Sequence, residues 1–238
     1  LKEGKVEING KQYEMGRHGF ARTSEFTVLE QGEDYVIFEL CESEETLKVY
    51  PFAFSFRIIH RLTENGFSTE YIVENTGKEV LPYCVGAHTA FNCPMNADES
   101  FEDYVLEFEQ EEEMPTLLLT EKGLFQNGDT EPMLSGKILP LDHSVYARLD
   151  TVVFDGLKSN RVSLKHKETG HGVQMEFEQF PMIAFWTKGA AEAPYICLEP
   201  WHGCAAYENE TGRIQDKPYV ICLQPGESKS LKYTVEMI

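Results

Sequence analysis

The stretch Tyr195-Ile196-Cys197-Leu198-Glu199-Pro200-Trp201 sets a single carboxylate into an apolar run. So hydrophobic a run reads as a buried strand, and Pro200, with no N–H to give a ladder, is expected to end it. Glu199 is then placed where the strand leaves the core and opens into a pocket. A buried, unpaired carboxylate costs several kcal/mol or takes up a proton, so a salt bridge or a chemical task must account for it.

Two upstream stretches share this character. Gly16-Arg17-His18-Gly19-Phe20-Ala21-Arg22 surrounds a His and two Arg with small residues that let the backbone approach a ligand. Cys84-Val85-Gly86-Ala87-His88-Thr89-Ala90-Phe91-Asn92 is an apolar strand carrying a His between small neighbours. Either His alone reads as a hydrogen-bonded core residue. Two His and one Glu, each beside Gly, Ala or Pro, read together as a pocket.

Elsewhere the chain is written in strands. Tyr35–Leu40, Ala53–His60, Phe67–Glu74 and Leu231–Met237 alternate apolar and polar residues, the period of a sheet with one wet face. Turn residues separate such segments at Glu64-Asn65-Gly66, Asn75-Thr76-Gly77, Asn127-Gly128-Asp129, Thr169-Gly170 and Pro225-Gly226-Glu227. The pattern predicts an all-β, large antiparallel β-sandwich with few short helices, the best helical candidates lying at His143–Leu149 and Tyr207–Thr211. No compositional break, linker or repeat divides residues 1–238, which predicts a single domain. The acidic run Glu107–Glu113 begins by alternating and reads as a strand's solvated face running into an exposed turn.

Charge narrows the partners. Forty Asp and Glu against 21 Lys and Arg give a net charge of −19, which argues against nucleic acid and against an anionic membrane surface. No segment approaches the roughly 18 consecutive apolar residues of a membrane span. Six Cys occur without a C-x-x-C pair, which fits a reduced, cytoplasmic protein. The acidic surface leaves a homodimer open.

No G-x-S-x-G, P-loop or G-x-G-x-x-G fingerprint anchors a serine hydrolase or nucleotide reading. A zinc site could draw on His18, His88 and Glu199, but no H-E-x-x-H or closely spaced His pair supports it. A glycosidase needs a second carboxylate, Asp150 or Asp142, and would leave both His without a task. One Glu and two His suit a reaction needing a base and an acid near neutral pH, such as opening and closing a sugar hemiacetal.

His18-Gly19-Phe20-Ala21-Arg22, His88-Thr89-Ala90-Phe91-Asn92 and Leu198-Glu199-Pro200 resemble, in order and spacing, three signature stretches of the aldose 1-epimerase (galactose mutarotase) family. Leu223-Gln224-Pro225-Gly226-Glu227 before a final strand is also similar, and the likeness runs toward the LacX-like branch. The resemblance implies a β-sandwich with a sugar cleft and an enzyme, an isomerase needing no cofactor and no catalytic metal. It implies Glu199 as the base that takes the anomeric hydroxyl proton and His88 as the acid that protonates the ring oxygen. His18 and Arg22 are implied as substrate-binding residues, and a sugar-binding Asp is expected before Glu199, with Asp150 preferred to Asp142. Trp186, and Trp201 beside Glu199, are candidate platforms for a sugar face, against the plainer reading of core packing. The family pattern also implies strands ahead of Leu1 that this sequence lacks, and it leaves the particular aldose open. A carbohydrate-binding or sugar-sensing module would keep the pocket without turnover. A glycoside hydrolase or lyase on a similar sandwich would need a second essential carboxylate.

Overall fold

Alternation and turn residues become antiparallel strands wherever a run can bury one face of its pleat, and about half of the residues do so. The computed structural model describes residues 1–238. Its two α-helices are short, Glu44–Val49 and His143–Leu149, and neither is long and apolar enough to cross a membrane. The chain forms two compact units, each assembled from two segments: Leu1–Cys84 with Gly203–Lys232, and Val85–His202 with Tyr233–Ile238.

In the first unit, Thr27–Gln31, Tyr35–Cys41, Ser55–Leu62 and Gly66–Glu74 form an antiparallel meander, each strand pairing with the next. The turn at Glu64-Asn65-Gly66 closes as the sequence predicts, with the Thr63 N–H donating to the Gly66 carbonyl at 3.0 Å. Helix Glu44–Val49 is absent from the sequence reading. Its signal was Ser43-x-x-Thr46, a capping box in which the Thr46 N–H donates to Ser43 Oγ and the Ser43 N–H to Thr46 Oγ1. The helix delivers the chain into an aromatic cluster, where the Phe20 ring lies 5.7 Å from Tyr50 and 5.9 Å from Phe54. Phe20 thereby anchors the His18-Gly19 turn to this unit's core. Tyr207–Thr211, expected as a helical turn, is a bridge and turn instead, and the 3-10 turn falls at Ile214–Asp216.

In the second unit two sheets lie face to face. One orders Phe125–Pro140, Tyr104–Leu119, Arg161–His166 and Gly172–Glu176, followed by residues 234–237 of the last strand. The other orders Thr151–Asp155, Met182–Trp186 and Tyr195–His202, the last paired with Val85–Gly86 and Thr89–Asn92. Phe108 from the first sheet meets Phe154 and Phe185 from the second edge-on, at 5.8 and 6.0 Å, and all three rings are fully buried. Pleating therefore gives the second sheet a core face, carrying Val152, Phe154, Ile183, Phe185, Ile196 and Leu198. Its opposite face carries Ala184, Trp186, Cys197, Glu199 and Trp201.

Two local readings are corrected here. Asn127-Gly128-Asp129 is no turn: the turn lies at Thr120–Gly123, and the register slips between Leu117↔Thr130 and Leu119↔Phe125, so the Asn-Gly pair marks a bulge with Gly128 at φ 86°. The acidic run does not end in an exposed turn either. The strand continues through it to Leu119, and the irregularity between Glu107 and Glu112 turns Glu112 inward. Buried Glu112 accepts from the Ser159 N–H at 2.8 Å and the Ser159 hydroxyl at 2.7 Å. A carboxylate held this way is satisfied rather than solvated.

Ser159→Ala removes a donor from that buried carboxylate. The expected cost is about 1–3 kcal/mol, read as a lower urea midpoint with an unchanged slope.

Candidate active site

The strand Tyr195–His202 does not stop at Pro200. It runs through the proline, because Pro200 still offers its carbonyl: the Ala87 N–H donates to it at 3.0 Å. The return bond of that pair is missing, since Pro200 has no N–H. At this point the partner strand breaks into Val85–Gly86 and Thr89–Asn92, while the register on either side of the break stays the same (Trp201↔Gly86, Leu198↔Thr89). Glu199 therefore stands directly across from His88. Because Pro200 and Ala87 occupy a hydrogen-bonded pair position, Glu199 and His88 occupy a non-hydrogen-bonded one, where opposing side chains lie closest. His88 Nε2 sits 3.3 Å from Glu199 Oε1.

The two groups differ in environment. The Glu199 side chain is 5% exposed and that of His88 47%, so the imidazole is the face that solvent or a ligand meets. Loss of water around Glu199 pushes its carboxyl up to about 8. A hydrogen bond from the Trp201 side chain pulls the other way, and the charge of Asp150 adds to the rise. Cys197, two residues before Glu199 on the same pleat, has its thiol pushed up to about 12 by burial and by the Glu199 charge.

Asp150 and Trp186 join the same cluster. Asp150 caps the C-terminus of helix His143–Leu149 with φ 64° and ψ −55°, a γ-turn geometry that non-glycine residues rarely adopt. That backbone aims its carboxylate at Trp186, whose indole Nε1–H donates to Asp150 Oδ1 at 3.4 Å. The Thr151 hydroxyl donates to Oδ2 at 3.1 Å. The Trp186 ring in turn lies 5.7 Å from the His88 ring, nearly perpendicular. Asp142, the alternative to Asp150, is the N-cap of the same helix and accepts from the Ser144 N–H at 2.7 Å, a structural task. Glu199, His88, Trp186 and Asp150 are thus brought together in the second unit. His18 and Arg22 belong to the first unit. His18 sits exposed at φ 68° on the turn that Gly19 closes by donating to the Gly16 carbonyl, and exposed Arg22 lies in the 3-10 turn Ala21–Thr23.

Two contributors, Cys197 and Gly86, escaped the sequence reading as parts of the site. Cys197 flanks Glu199 at the i−2 position, and Trp201 at i+2, placements available from strand periodicity alone. Gly86 faces Trp201 across the ladder, and a Cβ there would come within 2.8 Å of the Trp201 ring, so the small residue is what seats the indole. The three donors His88, Cys197 and Glu199 lie within 4.8 Å of one another, with Cys197 standing where the sequence-level zinc alternative put His18.

The family model for aldose 1-epimerase matches residues 2–235, nearly the whole chain. The chain belongs to the aldose 1-epimerase family. Among its relatives, the chromosomal LacX protein of Lactococcus lactis subsp. lactis is 35% identical over 225 residues, covering 93% of this chain and 75% of the relative. The plasmid LacX protein of the same organism matches equally. A galactose mutarotase related enzyme from Lactobacillus acidophilus superposes with a TM-score of 0.94 at 26% identity, over 100% of this chain and 79% of that one. A galactose mutarotase-like protein from Lactobacillus casei gives a TM-score of 0.88 at 29% identity, over 99% and 81%. The fold of this epimerase-family chain is therefore the galactose mutarotase-like β-sandwich.

The raised carboxyl has a signed consequence for stability. Between about pH 4.5 and about pH 8 the folded chain keeps a proton at Glu199 that the unfolded chain has lost, so stability falls as pH rises through that window. Glu199→Gln should equal wild type in stability below the window and exceed it above, by about 1.4 kcal/mol for each pH unit of the window at most, in denaturant titrations at several pH values. Asp150→Asn removes a charge that raises Glu199, so the carboxyl should titrate at lower pH, read by carbon NMR of labelled Glu.

Proposed function

We propose that this chain is an enzyme, an aldose 1-epimerase (mutarotase) that interconverts the α and β anomers of a free aldose, with Glu199 as base and His88 as acid. The observation that carries the reading is the 3.3 Å approach of His88 Nε2 to a carboxyl buried opposite it. Carboxylic acid beside neutral imidazole and carboxylate beside imidazolium contain the same number of protons. The second arrangement is the reactive one: a base ready to accept and an acid ready to give. A sugar that sets its anomeric hydroxyl on Glu199 and its ring oxygen on His88 selects it.

The chemistry then balances within the pair. Glu199 takes the O1 proton as the bond from C1 to the ring oxygen breaks, and His88 gives its proton to that oxygen. This leaves an open-chain aldehyde, a carboxylic acid and a neutral imidazole. Rotation about C1–C2 presents the other face of the carbonyl. In closure the hydroxyl that was the ring oxygen returns its proton to His88 and attacks C1, while Glu199 protonates the former carbonyl oxygen. Trp186 offers its ring to the C–H face of the sugar, and Asp150 accepts from sugar hydroxyls. No other reactant is consumed, and both residues end as they began.

Mutarotation of freshly dissolved α-D-glucose and α-D-galactose, followed by polarimetry or proton NMR, tests this reading. The wild-type rate should exceed the buffer background, and Glu199→Gln and His88→Asn should each lower it by on the order of 10²–10⁴. The rate should also decline above about pH 8, where the pair loses the proton it shares. Folded protein that gives sugar-dependent chemical shifts but no acceleration would replace the enzyme with a binding module.

A further inference from the structure

We propose that His88, Cys197 and Glu199 form a site for a thiophilic divalent cation, zinc or cobalt(II), that competes with the sugar. Its binding rests on geometry alone; its inhibitory effect rests on the proposed acid–base roles of His88 and Glu199.

Strand geometry puts the donors together. Cys197 and Glu199 are alternate residues on one strand and point to the same face, and His88 reaches that face from the position opposite Glu199. The three ligand atoms lie within 4.8 Å of one another, and the imidazole nitrogen is 3.3 Å from the carboxyl oxygen. Zinc holds N, O and S ligands at roughly 2.0–2.3 Å in a tetrahedron, which sets neighbouring ligands about 3.3–3.8 Å apart. One pair already has that spacing, and the remaining separations, within 4.8 Å, are left to side-chain rotation on binding. Three protein ligands leave a fourth, open position, supplied by water. The half-exposed His88 is the entry side, while Cys197 and Glu199 form the buried floor.

The donor set also selects the ion. A thiolate with an imidazole and one carboxylate suits zinc and cobalt(II), whereas magnesium and calcium want several oxygen ligands. Binding displaces the Cys197 thiol proton to solvent as the metal–sulfur bond forms. A metal-bound thiol is deprotonated, so affinity should climb with pH. With the carboxylate and imidazole both committed to the ion, neither proton transfer to a sugar can occur.

Cobalt(II) chloride titrated into chelator-treated wild-type protein is the direct probe. Expected are 1:1 binding, a near-ultraviolet thiolate-to-cobalt charge-transfer band and the intense visible bands of a tetrahedral site. Zinc chloride should displace the cobalt, and excess aldose should weaken its binding. Cys197→Ala should lose the charge-transfer band and weaken zinc binding by more than about tenfold, since even an outer-shell loss costs that much. In the same variant, whatever mutarotation rate remains should resist zinc inhibition. A charge-transfer band that survives in Cys197→Ala would assign the metal to other thiols, and an undiminished cobalt affinity in a folded His88→Asn control would remove the imidazole from the site; either result overturns the proposal. Absence of any cobalt band in wild type would overturn it too, whatever the mutarotation assay gives. A cobalt band in a protein without mutarotase activity would keep the site and sink the enzymatic reading instead.

Discussion

A carboxyl group held out of water opposite an imidazole is the constraint around which the second unit is arranged. Desolvation raises the pKa of Glu199 toward neutrality, and the imidazole of His88 stands 3.3 Å away. The register on both sides of the break sets Glu199 across from His88, where opposing side chains lie closest. The missing N–H of Pro200 interrupts the ladder where His88 must turn toward Glu199, and Gly86 leaves the room that seats Trp201 against the carboxyl. Backbone chemistry thus sets the distance, and side-chain burial sets the proton affinity.

Holding such a group is unfavourable, and the surrounding fold bears the cost. The opposite face of the same sheet is locked by the Phe108, Phe154 and Phe185 rings, whose burial is worth about 1.5–3 kcal/mol apiece. Asp150 adds a second local cost, a positive-φ residue at a helix end, and its carboxylate gains two donors, Trp186 and Thr151. Strain and desolvation fall on residues of the cluster, while the stabilising contacts fall on the core face. This division is common where a site must be less stable than the frame that carries it.

Much of this was legible in the chain. The alternation of Tyr35–Leu40 and Phe67–Glu74 predicted strands because period-2 burial is a local property, and His143–Leu149 was placed to the residue. Glu199 and His88 stood out by their setting in apolar runs, Trp186 as an aromatic ring and Asp150 through the likeness to one family, while their contacts came only with the register. What failed depended on distant pairing. Asn127-Gly128 looks the same in a hairpin turn as in a bulge, and only the partner strand decides between them. Pro200 reads as a strand end unless the neighbouring strand can accept a one-sided bond, and Glu112 reads as solvated until Ser159 arrives from far along the chain. Cys197 is one more residue of an apolar run in the sequence because its relation to His88 is a matter of register, which no local pattern records.

The interleaving of the two units has a kinetic consequence. Each is completed by a segment far from its main body: Gly203–Lys232 for the first, Tyr233–Ile238 for the second. A nascent chain therefore cannot finish either unit early and wait for the other. The partners of Val173 to Glu176 are Met237 to Thr234, so the edge of Gly172–Glu176 stays open until those residues emerge from the ribosome. Loop closures this long slow the search for native pairing. The exposed interval, with unpaired strand edges waiting on late residues, is when this β-rich chain is most open to association with other copies of itself.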